Sequence, residues 1–375
     1  MIHVAWRILT HEVGRSLLAI GGMTVAVLMI FLQLGFYAAV PAGGILVYDH
    51  MKFDIMLASA HYVFQGQAPS FPRRRLYQAL ANDDVRSVAP LYMGVVNWIN
   101  EADGGRYEAF LIGFRLEDQV FDAPTVNRQL DVLRREDTVL VDTATYPMFG
   151  KLNADRVTEM SNRTITIGGT YELGIGFLGL AVALASDQNF IRLLPDRSLS
   201  TVSLGLVDLK PGAAPDRVAA ALRAILPADT RVFTRNEFLQ FETDYWVERT
   251  STGQVFGFGV VVALIVGAVI LYQTLSTQVS RQLPQYATLK AMGYSNGYLR
   301  GMVICLALMM SVVALPLAYA AALMAYDFVH SATKLPIAMN DVRLVVVVAL
   351  TLLMSTGAAV YAARALRRAD PVDLF

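Results

Sequence analysis

The chain has 375 residues, of which 55% are hydrophobic and 17% are charged, and its formal net charge is zero. The charged fraction is below the roughly 25% of ordinary soluble domains, so the composition indicates a membrane protein or an unusually apolar enzyme. Zero net charge argues against a globally basic protein that binds nucleic acid. The single cysteine, Cys305, lies in an apolar run. Because the chain has only one cysteine, it can form neither an intrachain disulfide nor a metal site built from several cysteines.

The first element in chain order is an N-terminal segment that we interpret as an amphipathic helix. Ile2, Ala5, Trp6, Leu9 and Val13 recur at helical spacing, and tryptophan is typical of membrane interfaces. The pattern predicts that residues 1–15 lie on a membrane surface. A short unstructured tail is the alternative interpretation.

Four stretches are long and apolar enough to cross a membrane, which takes about 20 residues. They are residues 16–40, 254–280, 301–326 and 344–363, and none contains Asp, Glu, Lys, Arg or His. The first could be a signal peptide, but its apolar run exceeds the roughly 7–15 residues of a signal core, so we interpret it as a retained helix. No ion relay of the kind used by ion-coupled transporters is visible, and Gln33 and Gln273 are interpreted as contacts between helices.

Lys and Arg in the short flanking segments predict the orientation, because they are enriched in cytoplasmic loops. With four spans, three basic segments fall on the same side of the membrane. Their basic residues are Arg7, Arg15, Arg281, Lys290, Arg300, Arg364, Arg367 and Arg368. The sequence therefore predicts cytoplasmic termini with a tail at residues 364–375, a cytoplasmic loop at 281–300, a short periplasmic loop at 327–343, and an outer segment at 41–253.

Residues 41–253 are long enough for a domain of their own, and their mixed pattern predicts an α+β fold. The predicted strands are residues 52–59, 85–99 with a break at Pro90, 106–113, 137–142, 163–170 and 201–208. The predicted helices are residues 72–81, 186–194 and 214–226. Residues 236–252 carry four aromatic side chains and no Gly or Pro, and they lead towards the second span, so we predict a continuous or nearly continuous stalk helix at 236–253.

The sequence carries no recognisable motif for enzyme chemistry. It contains no G-x-x-x-x-G-K-[ST] phosphate loop and no H-E-x-x-H, and its five histidines are scattered. We therefore expect no catalytic, cofactor or metal site in this chain. The stretch Gly174–Gly179 fits G-x-G-x-x-G, but it is predicted to lie outside the cytoplasm, so we interpret it as a flexible apolar loop or a turn. Arg73, Arg74 and Arg75 form either a contact for an adaptor protein or lipid head group, or a solvated helix face.

The loop of residues 281–300 carries the signals of a short basic helix. Pro284 suits the first turn of a helix, and Gly293 suits its end, with Lys290 in the last turn. Ala287, Ala291 and Gly293 leave a slim surface that another protein could bind closely. A solvated connector is the alternative.

One span, a large outer domain, three further spans and this loop together resemble the MacB/FtsX superfamily of ABC permeases. That superfamily's loop has a pattern like R-E-I-G-I-L-R-A-I-G, where this chain has QYATLKAMG at residues 285–293, and the closing ADPVDL at 369–374 is similar to a D-P-x-x-x-L signature. The closer similarity is to DevC-type permeases of DevBCA exporters, through residues 71–80, 286–294 and 331–339. Gln285 stands where an acid is usual, so an ion pair to the ATPase does not carry over at that position.

The resemblance implies a permease of the bacterial inner membrane that forms a homodimer, with spans one and two as the interface by analogy, and binds two copies of a cytoplasmic ABC ATPase. That ATPase, not this chain, would bind ATP and Mg²⁺. Closure of the ATPases would move the loop, span two, the stalk and the outer domain, a mode called mechanotransmission. A periplasmic adaptor (membrane-fusion protein) and a TolC-like outer-membrane duct would complete a tripartite exporter of a lipid, glycolipid or other amphiphile.

From their position in the loop, we predict which residues contact the ATPase. Tyr286, Leu289 and Met292 would be its apolar anchors. The whole predicted contact set is Gln285, Tyr286, Leu289, Lys290, Met292, Gly293 and Tyr294. Two alternatives stay open: an FtsX-like regulator of a cell-wall hydrolase that transports nothing, and Lol-like extraction of lipoproteins. A neighbouring gene for a coiled-coil adaptor would favour export, and one for a peptidoglycan hydrolase would favour the regulator.

Overall fold

The computed structural model describes residues 13–100 and 104–364. The chain divides into a helical unit, built from Met1–Ala39, Ser251–Thr333 and Ile337–Phe375, and an α+β unit, built from Val40–Thr250 with Lys334–Pro336. Most of the predicted amphipathic helix of residues 1–15, and all but one residue of the predicted tail of residues 364–375, lie outside the described residues.

The regular elements are numbered in chain order. They are α1 (Val13–Asp49), β1 (Ile55–Ser59), β2 (Phe71–Pro72), α2 (Arg74–Leu80), β3 (Val85–Ile99), β4 (Arg106–Phe114), α3 (Pro124–Asn127), β5 (Thr138–Asp142), β6 (Arg156–Met160), β7 (Arg163–Tyr171), β8 (Val182–Ser186), α4 (Asp187–Leu193), β9 (Thr201–Val202), β10 (Leu204–Leu209), α5 (Pro215–Ile225), β11 (Thr230–Thr234), α6 (Arg235–Asp244), a π-helical turn (Tyr245–Arg249), α7 (Ser251–Arg281), α8 (Leu283–Ala291), α9 (Asn296–Thr333) and α10 (Asp341–Ala362).

Four of these helices, α1, α7, α9 and α10, are long and apolar enough to cross a membrane, which confirms the predicted number of spans. Two of them extend well past the predicted apolar stretches: α1 continues through Pro41 to Asp49, and α9 spans Asn296–Thr333. A stripe of small residues runs along α9 at helical spacing, and each of its members is fully buried. It comprises Ala307, Ser311, Ala314, Ala318 and Ala322. Such residues let neighbouring helices approach closely.

The α+β unit contains a nine-stranded mixed sheet in the order β11-β1-β10-β3-β4-β8-β5-β7-β6. The pairs β4–β8 and β5–β7 are parallel, and the other neighbours are antiparallel. The last strand in this order, β6, also pairs with the far end of β3, where Trp98 is opposite Met160. The predicted α+β fold is therefore confirmed.

Alternating side chains of this sheet form two apolar cores, one on each face. In β1, Ile55 and Leu57 join one core, whereas Met56 and Ala58 join the other. The first core is covered by α2, α4 and α5. The second is covered by the C-terminal end of α1 and by α6. The second core therefore contains both the segment that begins Val40–Thr250, at the end of α1, and a segment near its close, α6.

One prediction about local structure is wrong. β3 is not broken at Pro90, because Pro90 pairs only with Gly205 of β10 and pairing with β4 begins one residue later, at Leu91; a proline is tolerated where one edge of a strand is open. The stalk predicted at 236–253 is helical except at Thr250. After α6 comes the π-helical turn, and Thr250 then adopts extended angles (φ −95°, ψ 150°) before α7 begins.

Four strands were not predicted: β2, β6, β8 and β11. The most central of them, β8, reads Val-Ala-Leu-Ala-Ser and is buried at every position. A strand buried on both faces has no polar alternation, so its sequence resembles any other apolar run.

Candidate functional site

The loop between α7 and α9 contains the helix α8, whose ends follow the local signals. Pro284 lies in its first turn, where its missing N–H costs no helical hydrogen bond. Gly293 follows the helix with a φ of +91°, the left-handed conformation that favours glycine. The amide of Gly293 donates to the carbonyl of Lys290 at 3.0 Å, and that of Tyr294 donates to Leu289 at 3.2 Å. The helix therefore ends in a defined turn.

One face of α8 is buried in the helical unit, and Tyr286 is its centre. Tyr286 is 1% exposed and packs in one cluster with Leu299 and Met302 of α9. Its hydroxyl donates to Oε1 of Gln282 at 3.1 Å. Burial raises the pKa of Tyr286 to about 12, so the phenol stays neutral. Tyr286 thus holds α8 against the other helices and is not a surface anchor, contrary to the prediction.

The opposite face of α8 is exposed. Its side chains recur at the helical spacing i, i+1, i+4, i+7 and i+8: Pro284, Gln285, Thr288, Ala291 and Met292. We call these five residues the α8 face. Two of them, Thr288 and Ala291, are absent from the predicted set. With 3.6 residues per turn, Thr288 lies about 60° around the helix from Gln285, so a helical period would have included it, whereas Ala291 lies about 120° away.

The remaining residues of the predicted set differ in exposure. Met292 is 63% exposed, and Tyr294, 44% exposed, lies beside the Tyr298 ring with centroids 4.8 Å apart. Leu289 and Lys290 are half-buried. Residues 281–300 contain three basic side chains and no Asp or Glu. The exposed surface of this loop thus combines a large apolar side chain with positive charge.

The three consecutive arginines predicted as one contact have three different environments. Arg75 is buried and forms a bidentate ion pair with Asp229, with Nε–Oδ1 at 3.0 Å and Nη2–Oδ2 at 2.6 Å. This pair lowers the pKa of the Asp229 carboxyl. Arg73 is half-buried, with its guanidinium 5.9 Å from the centroid of the Tyr77 ring. Only Arg74 is exposed, so the sequence does not form a three-arginine surface.

The stretch Gly174–Gly179 lies between β7 and β8, and the chain at its start binds a carboxylate of this protein. Oδ2 of the buried Asp142 accepts hydrogen bonds from the amides of Leu173 and Gly174, both at 2.9 Å. The ring of Phe177 lies 4.6 Å from that of Trp246. The amide of Gly174, which begins the G-x-G-x-x-G stretch, is therefore occupied by a carboxylate of this chain. Among the residues that the structure describes, no cluster of three His, Cys, Asp or Glu could hold a metal ion.

Comparison with known proteins found a family match for the C-terminal part of the chain. Residues 257–371 match the FtsX-like permease C-terminal family. This segment contains most of α7 and all of α8, α9 and α10. This part of the chain is therefore similar to the C-terminal region of FtsX-like permeases. No curated protein matches the chain.

Two solved structures are similar to part of the chain. The periplasmic region of MacB from Actinobacillus actinomycetemcomitans is 8% identical, with a TM-score of 0.36, and the match covers 52% of this chain and 94% of that one. The extracellular domain of the noncanonic ABC-type transporter YknZ from Gram-positive bacteria is 12% identical, with a TM-score of 0.33, and the match covers 48% of this chain and 99% of that one.

Proposed function

We propose that this chain is the membrane subunit of a MacB/FtsX-type ABC transporter. The observation that carries the proposal is the family match over residues 257–371. Four apolar helices and an inserted α+β unit support it. A permease of this type works with a cytoplasmic ABC ATPase, which supplies the energy by hydrolysing ATP. The sequence of this chain contains no phosphate loop of its own.

The α8 face is the proposed contact for that ATPase. Met292 supplies an exposed apolar side chain, and Gln285 and Thr288 lie on the same side of the helix. A partner with an apolar pocket rimmed by acidic residues would complement this surface, because an apolar anchor at the centre of an interface carries most of the binding energy. Tyr286 would act indirectly, by holding α8 in position.

The finer proposal is export. The chain would form a homodimer in a bacterial inner membrane, with cytoplasmic termini and a periplasmic α+β unit. It would work with an adaptor and a TolC-like duct to move a lipid, glycolipid or other amphiphile. The DevC-like stretches at residues 71–80, 286–294 and 331–339 support this reading. Arg74 is the one arginine of its cluster that remains exposed for an adaptor or a lipid head group.

The first test is affinity purification of the chain from its native membrane in mild detergent, with every co-purifying protein identified. An ATPase with a periplasmic adaptor is the expected result. An ATPase with a cell-wall hydrolase and no adaptor would favour the FtsX-like regulator, and an ATPase with a lipoprotein carrier would favour Lol-like extraction. Recovery without any ATPase would overturn the proposal.

The α8 face has its own test, for which Met292 offers a matched pair of variants. Met292→Glu places a charge in the proposed apolar contact and should lower ATPase recovery at least about tenfold, as expected for a central interface residue. Met292→Leu keeps the apolar contact and should leave recovery unchanged. Equal recovery with both variants would show that the ATPase binds elsewhere.

A further inference from the structure

A buried carboxylic acid lies in the second core of the α+β unit. Glu242 of α6 is 0% exposed. One of its oxygens, Oε1, accepts a hydrogen bond from the hydroxyl of Tyr62, and Oε2 accepts one from the amide of Gln65 at 3.4 Å. Both donors are neutral groups. A buried carboxylate is costly when its partners carry no positive charge.

The hydrogen bonds of Glu242 extend to a third chain segment. The hydroxyl of Tyr62 lies 3.2 Å from that of Tyr48, near the C-terminal end of α1. The ring of Phe238, one turn before Glu242, lies 4.9 Å from Tyr48 and 5.7 Å from Tyr62. The Tyr48–Tyr62–Glu242 cluster therefore joins α6 to the end of α1 through the loop that follows β1.

The charged groups around this cluster are directed elsewhere. Arg231 of β11 lies between the rings of Phe233 and Phe241, at 4.6 and 4.7 Å from their centroids, and donates to the Tyr62 carbonyl at 3.5 Å. Arg235 donates to the backbone carbonyls of Met51 at 2.8 Å and Asp49 at 3.1 Å. His61 is exposed. Positive charge near the cluster thus binds carbonyls and aromatic faces.

Burial is the largest influence on the acid and raises the pKa of Glu242 to about 7, although the bonds from Tyr62 and Gln65 lower it. Burial also raises the pKa of Tyr62 well above its usual value, so this hydroxyl stays protonated as the donor. At low pH the carboxyl of Glu242 is neutral in both the folded and the unfolded chain, so burial then imposes no cost of desolvating a charge. That cost develops as the pH rises from the ordinary pKa of a glutamate through about 7.

The adjacent π-helical turn makes a second contact with α1. Trp246, four residues after Glu242, lies so close to Gly44 of α1 that a Cβ added there would be 2.3 Å from the indole. Phe177 and Phe64 flank the indole, with ring centroids 4.6 and 5.8 Å away. π-helical turns of this kind are frequent at functional sites.

We propose that Glu242 is a proton-sensitive switch, which holds α6 and the π-helical turn on the end of α1 when it is protonated and releases them when it ionises. An ionised Glu242 draws water into the cluster, and α6 moves away from Tyr48. Trp246 then moves away from Gly44 and becomes more accessible to solvent. This goes beyond the proposed function and does not depend on it. In the sequence, the end of α1 follows the first predicted span, and α6 with the π-helical turn precedes the second. A change in the contact between these segments would therefore affect any coupling that passes through the two spans.

The test uses the tryptophan that the switch would expose. The chain has three tryptophans, so Trp6→Phe and Trp98→Phe in the full-length protein leave Trp246 as the only one. Acrylamide quenching in detergent is then measured from pH 5.5 to 8.5. The ionised fraction of a group with a pKa of about 7 rises about tenfold between pH 6 and pH 8, and quenching should rise with a midpoint near pH 7.

Three variants separate the switch from a general effect of pH. Glu242→Gln cannot ionise and should give low quenching at every pH. Tyr62→Phe removes a bond that favours the ionised form, so the midpoint should move to higher pH. Asp244→Asn, on the same helix, should leave the wild-type profile unchanged. A flat wild-type profile, or one that Glu242→Gln preserves, would overturn the proposal.

Discussion

The two units of this protein bury polar groups in different ways. In the α+β unit, the side-chain amide of Asn189 donates to the carbonyls of Leu133, Arg135 and Thr138 at 3.2, 2.8 and 3.1 Å. In the helical unit, the buried Ser311 donates to Ser355 at 2.8 Å, on a stripe of small residues. Apolar burial drives folding in water, so polar networks there fix the arrangement. Within lipid, close packing takes over as the main source of stability.

The largest effect that would sharpen this contrast is expected for Asn189→Ala. The substitution leaves three buried carbonyls and the amide of Asp137, which donates to Asn189 Oδ1 at 3.0 Å, without that partner. The free energy of unfolding of the α+β unit should fall by about 3 kcal/mol. The measurement is denaturant unfolding of the full chain in detergent, followed by fluorescence of the buried Trp98 in a background that carries Trp6→Phe and Trp246→Phe. Gln188→Ala, at the exposed neighbouring position, should change it by less than about 0.5 kcal/mol; similar losses for the two variants would contradict the network's importance.

The next effect concerns close packing in the helical unit. Ala318 is fully buried in one cluster with Val27 and Phe31 of α1. Ala318→Leu overfills this contact and should destabilise the helical unit by about 2 kcal/mol. Thermal loss of helical circular dichroism in detergent would measure it. Leu317→Ala, at a neighbouring site that is 53% exposed, is the control and should have a smaller effect. A larger loss for Leu317→Ala would mean that α9 does not depend on its small residues.

The smallest effect is expected for the serine pair in the helical unit. Ser311→Ala removes the hydrogen bond to Ser355 but keeps the side chain small. Hydrogen bonds between membrane helices contribute about 0.6 kcal/mol on average, so the same thermal measurement should shift only slightly. A loss comparable to that of Asn189→Ala would remove the contrast between the two units.

Local signals were sufficient for part of the fold. Pro284 and Gly293 marked both ends of α8, because their backbone preferences act within one turn. The four long helices followed from apolar length alone. The strand β7, whose burial alternates along its length, was also recognised, whereas β8, which is buried at every position, was not.

The candidate site was harder to predict, because exposure depends on distant residues. Arg73, Arg74 and Arg75 are identical in type, but only Arg75 reaches Asp229, 154 positions further along the chain. The burial of Tyr286 likewise depends on α9, which follows it in sequence. Glu242 carried no sequence signal, since an acid in a polar helix is usually solvated. Its significance depends on Tyr62, 180 positions earlier.

The pairing of β1 has a consequence for the order in which the chain can fold. In the sheet, β1 lies between β10 and β11, so that Ile55 is opposite both Val207 and Thr234. The apolar strand Ile55–Ser59 therefore has no sheet partner until synthesis has passed β10. Folding of the α+β unit is thus slow and non-local, and the waiting strand is a site of aggregation during biogenesis. We therefore expect a chaperone that binds this segment early to raise the yield of the folded protein.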